Sequence, residues 1–193
     1  MNERRGLEQA LTRLQAGALI IGALGVAAIV LAAFVDMQTF FEGYLVGYWY
    51  VLGFSLGCMA ILALHHVTGG AWGLPLRSVA EGGTAMLPVM ALLFVPILFG
   101  METLFPWMRE SFVDQHEIVQ KKLFHLNQPF FIVRAIVYFS LWIMLSWLLL
   151  SKTKRDQNGV RVCSQRTGSI VLIVYVLTVT FAAVDWSMSL EPG

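Results

Sequence analysis

Charge is what this chain has least of. Only 13% of its 193 residues are Asp, Glu, Lys or Arg, about half the share found in ordinary soluble domains. With 58% hydrophobic residues and a mean hydropathy of +0.71, that scarcity excludes a soluble globular fold. The formal net charge is +1, and no basic groove stands out, so a nucleic-acid surface is excluded as well. Cysteine is nearly absent: Cys58 lies in an apolar run and Cys163 in a basic loop, which provides neither a CxxC pair nor a disulfide framework. They read as small apolar filler and a loop thiol. No Gly-rich phosphate loop, nucleophile–base motif or Cys-rich iron–sulfur pattern is visible. Four histidines remain, His65 and His66 toward one membrane face and His116 and His125 toward the other. About 30 Å of hydrocarbon separates the two sets, so they provide no facing pair of axial haem ligands and no metal cluster. No redox or catalytic centre is expected in the chain itself.

What the chain has in quantity is long apolar sequence. The reading is an all-α integral membrane protein with five spans, at about 16–35, 44–65, 85–105, 129–150 and 170–190. The first run is longer than a signal-peptide core of about 7–15 residues. The link from Val67 to Gly83, rich in glycine, reads as an interfacial turn with a short surface helix. Pro96 lies within the third span and predicts a kink there. Phe112, Val119, Leu123 and Leu126 recur at helical spacing, so residues 107–128 are expected to hold an amphipathic surface helix. Pro129 takes a favoured first helical position in the fourth span.

The second span carries a packing pattern. At ~100° per residue, Gly43, Gly47, Gly53 and Gly57 share one face, while Tyr44, Leu52, Leu56, Met59 and Leu62 take the opposite, greasier one. Small residues at four-residue spacing let helix backbones approach closely in lipid. The glycine face is therefore expected to meet a partner, and the alanine-rich first span is the natural candidate.

Placement of Lys and Arg sets the topology. Nine of them (Arg4, Arg5, Arg13, Arg77, Lys152, Lys154, Arg155, Arg161 and Arg166) fall on one side and three (Arg109, Lys121 and Lys122) on the other. The N-terminus is accordingly expected in the cytoplasm.

Ionisable groups inside hydrocarbon cost about 2.5–3.5 kcal/mol each on insertion scales, so each requires an explanation. Arg134 and Asp185 fall at similar depth in antiparallel spans and are expected to pair. Tyr175, Thr178, Ala182, Asp185 and Ser189 form a polar seam along one face of the fifth span. That seam reads either as interhelical glue or as the wall of a proton path. Glu102 adds a carboxylate at the same outer level, and His65, His66 and Glu81 form a candidate inner mouth. Histidine suits that position because its ordinary pKa of about 6.5 allows exchange near neutrality.

Five segments, in order, carry a resemblance: GYLVGYWYVLGFSLG (43–57), LHHVTGGAWG (64–73), LPVMALLFVPILFG (87–100), LNQPFFIVRAIVYF (126–139) and LTVTFAAVDWSMSLEP (177–192). They resemble the F subunit of alternative complex III, the bacterial membrane quinol:electron-acceptor oxidoreductase. The likeness covers residues 40–192, and the basic loop is its weakest part. It implies a cofactor-free membrane anchor of the superfamily that serves polysulfide and nitrite reductase complexes, with a core of two four-helix bundles. This chain would form one of them, an N-terminal piece of a longer pattern that continues past Gly193. It also implies a place in the bacterial inner membrane among other membrane and periplasmic subunits. Haem and iron–sulfur clusters would reside in those partners, and quinone contact and a proton half-channel would be this subunit's share. Asp185, Arg134, His65 and His66 match the family's motifs. Two readings compete with it: a half-sized transporter or channel that dimerises through the glycine face, and a purely structural subunit whose buried polar groups fix helix register.

Overall fold

The computed structural model describes residues 2–69, 72–105, 108, 127–151, 154–155, 161–162 and 164–190. The expected surface helix over 107–128 lies outside the described residues, as do His116 and His125. The chain divides into two compact units, Met1–Tyr44 and Leu45–Gly193.

In the first unit, helix α1 (Asn2–Val35) is continuous over 34 residues. Its alanines and leucines favour helix intrinsically. Leu19, Ile20, Ile21, Leu24 and Leu31 are exposed along it, and its apolar part includes Gln15–Gly25. Helix α2 (Met37–Thr68) begins in this unit and is capped by Asp36. The Asp36 carboxylate accepts from the Gln38 backbone N–H at 3.0 Å and from the Thr39 hydroxyl at 2.5 Å. It thereby satisfies a donor that the first helical turn leaves open. These bonds, the Thr39 hydroxyl first, hold the Asp36 carboxyl below its ordinary value of 3.8.

The second unit contains the rest of α2, then α3 (Arg77–Ala85), α4 (Leu87–Leu93), α5 (Val95–Phe99) and α6 (Met101–Leu104), followed by α7 (Gln128–Ser151) and α8 (Gln165–Leu190). Between α7 and α8 a two-residue antiparallel ladder pairs Lys154 with Val162 and Arg155 with Arg161. Among the described residues, four helical stretches are long and apolar enough to cross a membrane: Met37–Thr68, Arg77–Phe99, Gln128–Ser151 and Gln165–Trp186. Helix α2 ends where Gly69 adopts φ +65° and its N–H returns to the His65 carbonyl at 2.8 Å. This left-handed stop suits a residue without Cβ.

The third stretch is segmented, with breaks at Met86 and Phe94, each two residues before a proline, and at Gly100. Proline removes a donor and restricts the residue before it, which explains the first two breaks. This stretch also starts earlier than expected. Arg77–Ala85 is already helical and continues into the span, so the segment read as a separate surface helix is its first part.

Contacts fix the directions. The Tyr48 hydroxyl donates to the Met90 carbonyl at 3.1 Å, and Cys58 lies against Gly83, so α2 and α3–α4 run antiparallel. The Ser146 hydroxyl donates to the Thr84 carbonyl at 3.0 Å, with Phe94 and Phe139 5.2 Å apart, so α7 reverses again. The contacts Trp49–Trp186 and His66–Gly168 set α8 antiparallel to α2. The four stretches therefore alternate in direction around a core of Leu52, Leu56, Met59, Leu62, Met90, Phe94, Phe139, Trp142 and Trp186.

Within the second unit, it is the leucine face of α2 that packs inward. Leu52, Leu56, Met59 and Leu62 are buried, Met59 completely. Within this unit, a Cβ built on Gly47, Gly53 or Gly57 would meet nothing within 4 Å. Close approach occurs instead at Gly73, Gly83 and Gly168. A Cβ on Gly83 would lie 2.4 Å from the Cys58 Sγ and 2.8 Å from its Cβ. Gly83→Ala is therefore expected to destabilise the chain by about 1–3 kcal/mol through overpacking, while Gly53→Ala shifts it by no more than about 0.5 kcal/mol. Thermal unfolding of both variants in detergent checks the contrast, and equal losses would contradict it.

The Asp36 cap carries a pH consequence. Because its folded value is depressed, its contribution is full above the unfolded carboxylate range and disappears as pH falls through the folded value. The Gln38 amide proton is expected to titrate with a midpoint below 3.8 and to lose that titration in Asp36→Ala. An NMR titration in micelles measures both.

Candidate functional site

Helix α7 repeats a stripe at four-residue spacing, Phe130, Arg134, Tyr138 and Trp142, which stacks these side chains on one helical face. Helix α8, antiparallel to it, presents Asp185, Ala182 and Thr178 at three- and four-residue steps, with Trp186 beside them. The two stripes meet along their length.

At one end the Arg134 Nε lies 3.1 Å from the Asp185 Oδ2, with the two side chains 13% and 12% exposed. This is an ion pair by distance rather than an aligned Nε–H hydrogen bond. The Tyr138 hydroxyl donates to the same Oδ2 at 2.6 Å, a charge-assisted bond of the short, strong kind. The Arg134 guanidinium lies 4.6 Å from the centre of the Phe130 ring, a cation–π contact that strengthens where water is scarce. One turn further in, the fully buried Trp142 donates its indole N–H to the Thr178 hydroxyl at 3.1 Å. That hydroxyl in turn donates to the Val174 carbonyl at 2.8 Å. Indole is a donor only, so Trp142 pins Thr178 in place and does not relay protons.

Aromatic rings enclose these groups. Trp186 stands edge-on to Trp142 at 5.9 Å and 84°, stacks on Phe94 at 5.3 Å and meets Tyr138 and Trp49 edge-on. A groove of about 230 Å³ runs between α2 and α8, lined by Gly53, Gly57, Tyr175, Val179, Ala183 and neighbouring side chains. Gly53 and Gly57 of α2 thus lie along it.

The candidates from sequence fall into separate places. Arg134 and Asp185 pair as expected, and Thr178 joins them through Trp142. Tyr175 is half-buried on the groove. The side chain of Ser189 lies outside the described residues, and Glu102 is exposed on α6. His65, His66 and Glu81 are at the other end: Gly168, which abuts His66, stands well along α8 from Asp185, about 25 Å at ~1.5 Å per residue. There Glu81 takes the Arg77 Nε at 2.7 Å. Tyr138 and Trp142 belong to the site and escaped the sequence reading. The four-residue recurrence with Arg134 was the available signal.

Comparison with protein-family models and with curated proteins finds no match.

Removing either member of the ion pair leaves the other charge buried, which typically costs 3–5 kcal/mol. Arg134→Gln and Asp185→Asn are each expected to destabilise strongly, the double variant by less than the sum, with a coupling of at least about 1 kcal/mol. Tyr138→Phe should cost about 1.5–3 kcal/mol for a bond to a charged group. Reversible unfolding in micelles measures the cycle, and additive single effects would contradict the pairing.

Proposed function

We propose that this chain is a cofactor-free membrane subunit of a bacterial respiratory quinol:electron-acceptor oxidoreductase of the alternative complex III kind. In this reading it spans the inner membrane five times, with α1 as the additional span and the N-terminus in the cytoplasm. It forms one helix bundle of a two-bundle anchor. Its partners are membrane and periplasmic subunits that carry haem and iron–sulfur clusters, and its own share is scaffolding, quinone contact and a proton half-channel. The observation that carries the reading is the Arg134–Asp185–Tyr138 cluster, enclosed by aromatic rings between two apolar helices. Groups this costly to bury are expected where a membrane protein handles charge.

The five ordered motifs support the assignment to this kind of complex, since Asp185 and Arg134 lie within two of them. The exposed apolar side chains of α1 support a fifth span. Of the proposed route, the outer part is Asp185 with Arg134 and Tyr138, and the inner mouth is His65, His66 and Glu81. Tyr175 on the groove lies between them in sequence depth.

One observation also favours the transporter reading: the glycine face of α2 is open and offers itself to a second copy as readily as to a second bundle. Ion flux through the isolated chain in liposomes would select that reading. Co-purification with multihaem and iron–sulfur subunits selects the first.

The deciding experiment replaces Asp185 by Asn in the assembled complex and measures protons released per quinol oxidised. A lowered ratio with the complex intact is the expected result. An unchanged ratio and rate would reduce the cluster to a structural lock.

A further inference from the structure

Proline has no N–H to give to the carbonyl four residues before it, so a proline inside a membrane span leaves that carbonyl short of its helical donor. The third stretch has two such places, Pro88 with Thr84 and Pro96 with Leu92. Their surroundings differ. Thr84 is fully buried, and the buried Ser146 hydroxyl of α7 donates to its carbonyl at 3.0 Å. Leu92 is 71% exposed. The Thr84 hydroxyl also bonds back to the Ala80 carbonyl at 2.6 Å, a contact that tends to bend helices, and the helix breaks two residues later at Met86. Bend, missing donor and substitute donor thus fall together between Thr84 and Pro88.

Across the same break stands a hydroxyl with no acceptor. Ser55 of α2 is fully buried, and its Oγ has no hydrogen-bond partner among the described residues. Two contacts fix its level. The helices run antiparallel, with Tyr48 bonded to the Met90 carbonyl and Cys58 against Gly83. Ser55 lies about one turn from Cys58 on the Tyr48 side, which corresponds to one turn beyond Gly83, the level of Met86. It is also seven residues from Tyr48, a spacing that returns within ~20° of the same face, so it shares the face through which Tyr48 reaches α4. Buried hydroxyls without a partner are rare, because the hydrogen bond to water that they lose is not replaced. A second arrangement of the break gives Ser55 the acceptor it lacks in this one.

We propose that the break at Met86 is a two-position joint latched by serines. In the first position Ser146 supplies the donor that Pro88 withholds and ties α3 to α7. In the second, α3 tilts toward α2, Ser146 returns its hydroxyl to the Trp142 carbonyl of its own helix, as helical serines do, and Ser55 takes over the carbonyl freed at the break. The carbonyl has a donor in both positions. The cost of an idle Ser55 in the first narrows the gap to the second, and a small gap is what lets two arrangements be populated together. Movement at the joint carries Arg77 and Glu81 with α3 and leaves the Arg134–Asp185 pair in place. The device does not depend on the proposed role in quinol oxidation, and its test reads the helix itself.

Amide hydrogen exchange of the full chain in micelles, resolved by NMR, measures the joint. Ser146→Ala is expected to speed exchange over Thr84–Leu87 at least tenfold, and Ser146→Thr, which keeps a hydroxyl, to preserve the protection. Pro88→Ala restores an N–H for the Thr84 carbonyl, so in that background Ser146→Ala changes exchange by less than twofold. Pro96→Ala restores one at Leu92 instead and leaves the tenfold effect whole. Ser55→Ala alone does not speed exchange, but it adds at least a further threefold to Ser146→Ala, where the second position is the one occupied. An effect of Ser146→Ala that is equal with and without Pro88 would make Ser146 an ordinary packing contact. A Ser55→Ala substitution that adds nothing to Ser146→Ala would assign the Ser55 hydroxyl to an internal water. Either result overturns the joint, and the two serine substitutions decide it even if Pro88→Ala fails to fold.

Discussion

A guanidinium and a carboxylate cannot be left apart in oil, and that constraint decides how α7 and α8 meet. Insertion costs of about 2.5–3.5 kcal/mol per charge exceed what any single apolar contact returns, so Arg134 and Asp185 must come together at one depth. Once they do, the register of two long helices is set. Tyr138 then falls within hydrogen-bond reach of the same carboxylate oxygen, and Trp142 falls beside Thr178. A one-residue slip would rotate each stripe by ~100° and break all three interactions together. The pair is therefore weak evidence for high stability, since an apolar replacement of equal volume can be as stable, but it is strong evidence for a unique alignment.

Packing around the pair follows from a second constraint: lipid tails are as apolar as leucine, so helices gain nothing from hiding hydrophobic area and must gain from dispersion and fit. The structure obtains that fit in two ways. Large flat rings fill the centre, with Trp142 and Trp186 crossed edge-to-face and Phe94 stacked on Trp186. Glycines admit close neighbours at the margins, where Gly83 receives Cys58 and Gly168 receives His66. The aromatic centre also keeps water from the ion pair, which strengthens the electrostatic contact between the two charges.

Much of this was legible in the residues. Span positions follow from apolar length alone. The Arg134–Asp185 pair follows from matching depth in consecutive antiparallel helices, because the cost of an isolated charge leaves few alternatives. The orientation of α2 was not legible. In water the leucine face of a helix would point inward without question, but in a membrane either face can meet lipid, and glycine spacing by itself does not choose between them. Leu52, Leu56, Met59 and Leu62 are inward because the aromatic centre requires bulk opposite it, and that centre is assembled from four different spans that no local pattern connects. The burial of Trp186 depends on the same four-span assembly. The early start of the third stretch at Arg77 was hidden by its glycines and polar residues, whose low helix propensity is overridden by tertiary contacts at Gly83 and Thr84.

The geometry also constrains any protonation of the Arg134–Asp185–Tyr138 cluster. The Asp185 Oδ2 is held twice over, by the charge of a permanent cation and by a phenol that donates to it. Accepting a proton there means giving up the attraction of Arg134, whose charge would then be unbalanced among aromatic rings. Any cycle of protonation therefore has to move Arg134 as well, and the Phe130 ring beneath its guanidinium offers a resting place that offsets part of that cost. Inward from the cluster, Trp142 and Thr178 are each committed to a bond that carries no proton onward. The bonds that fix the register of α7 and α8 are thus also the ones that close the packed centre between the two ends of the bundle.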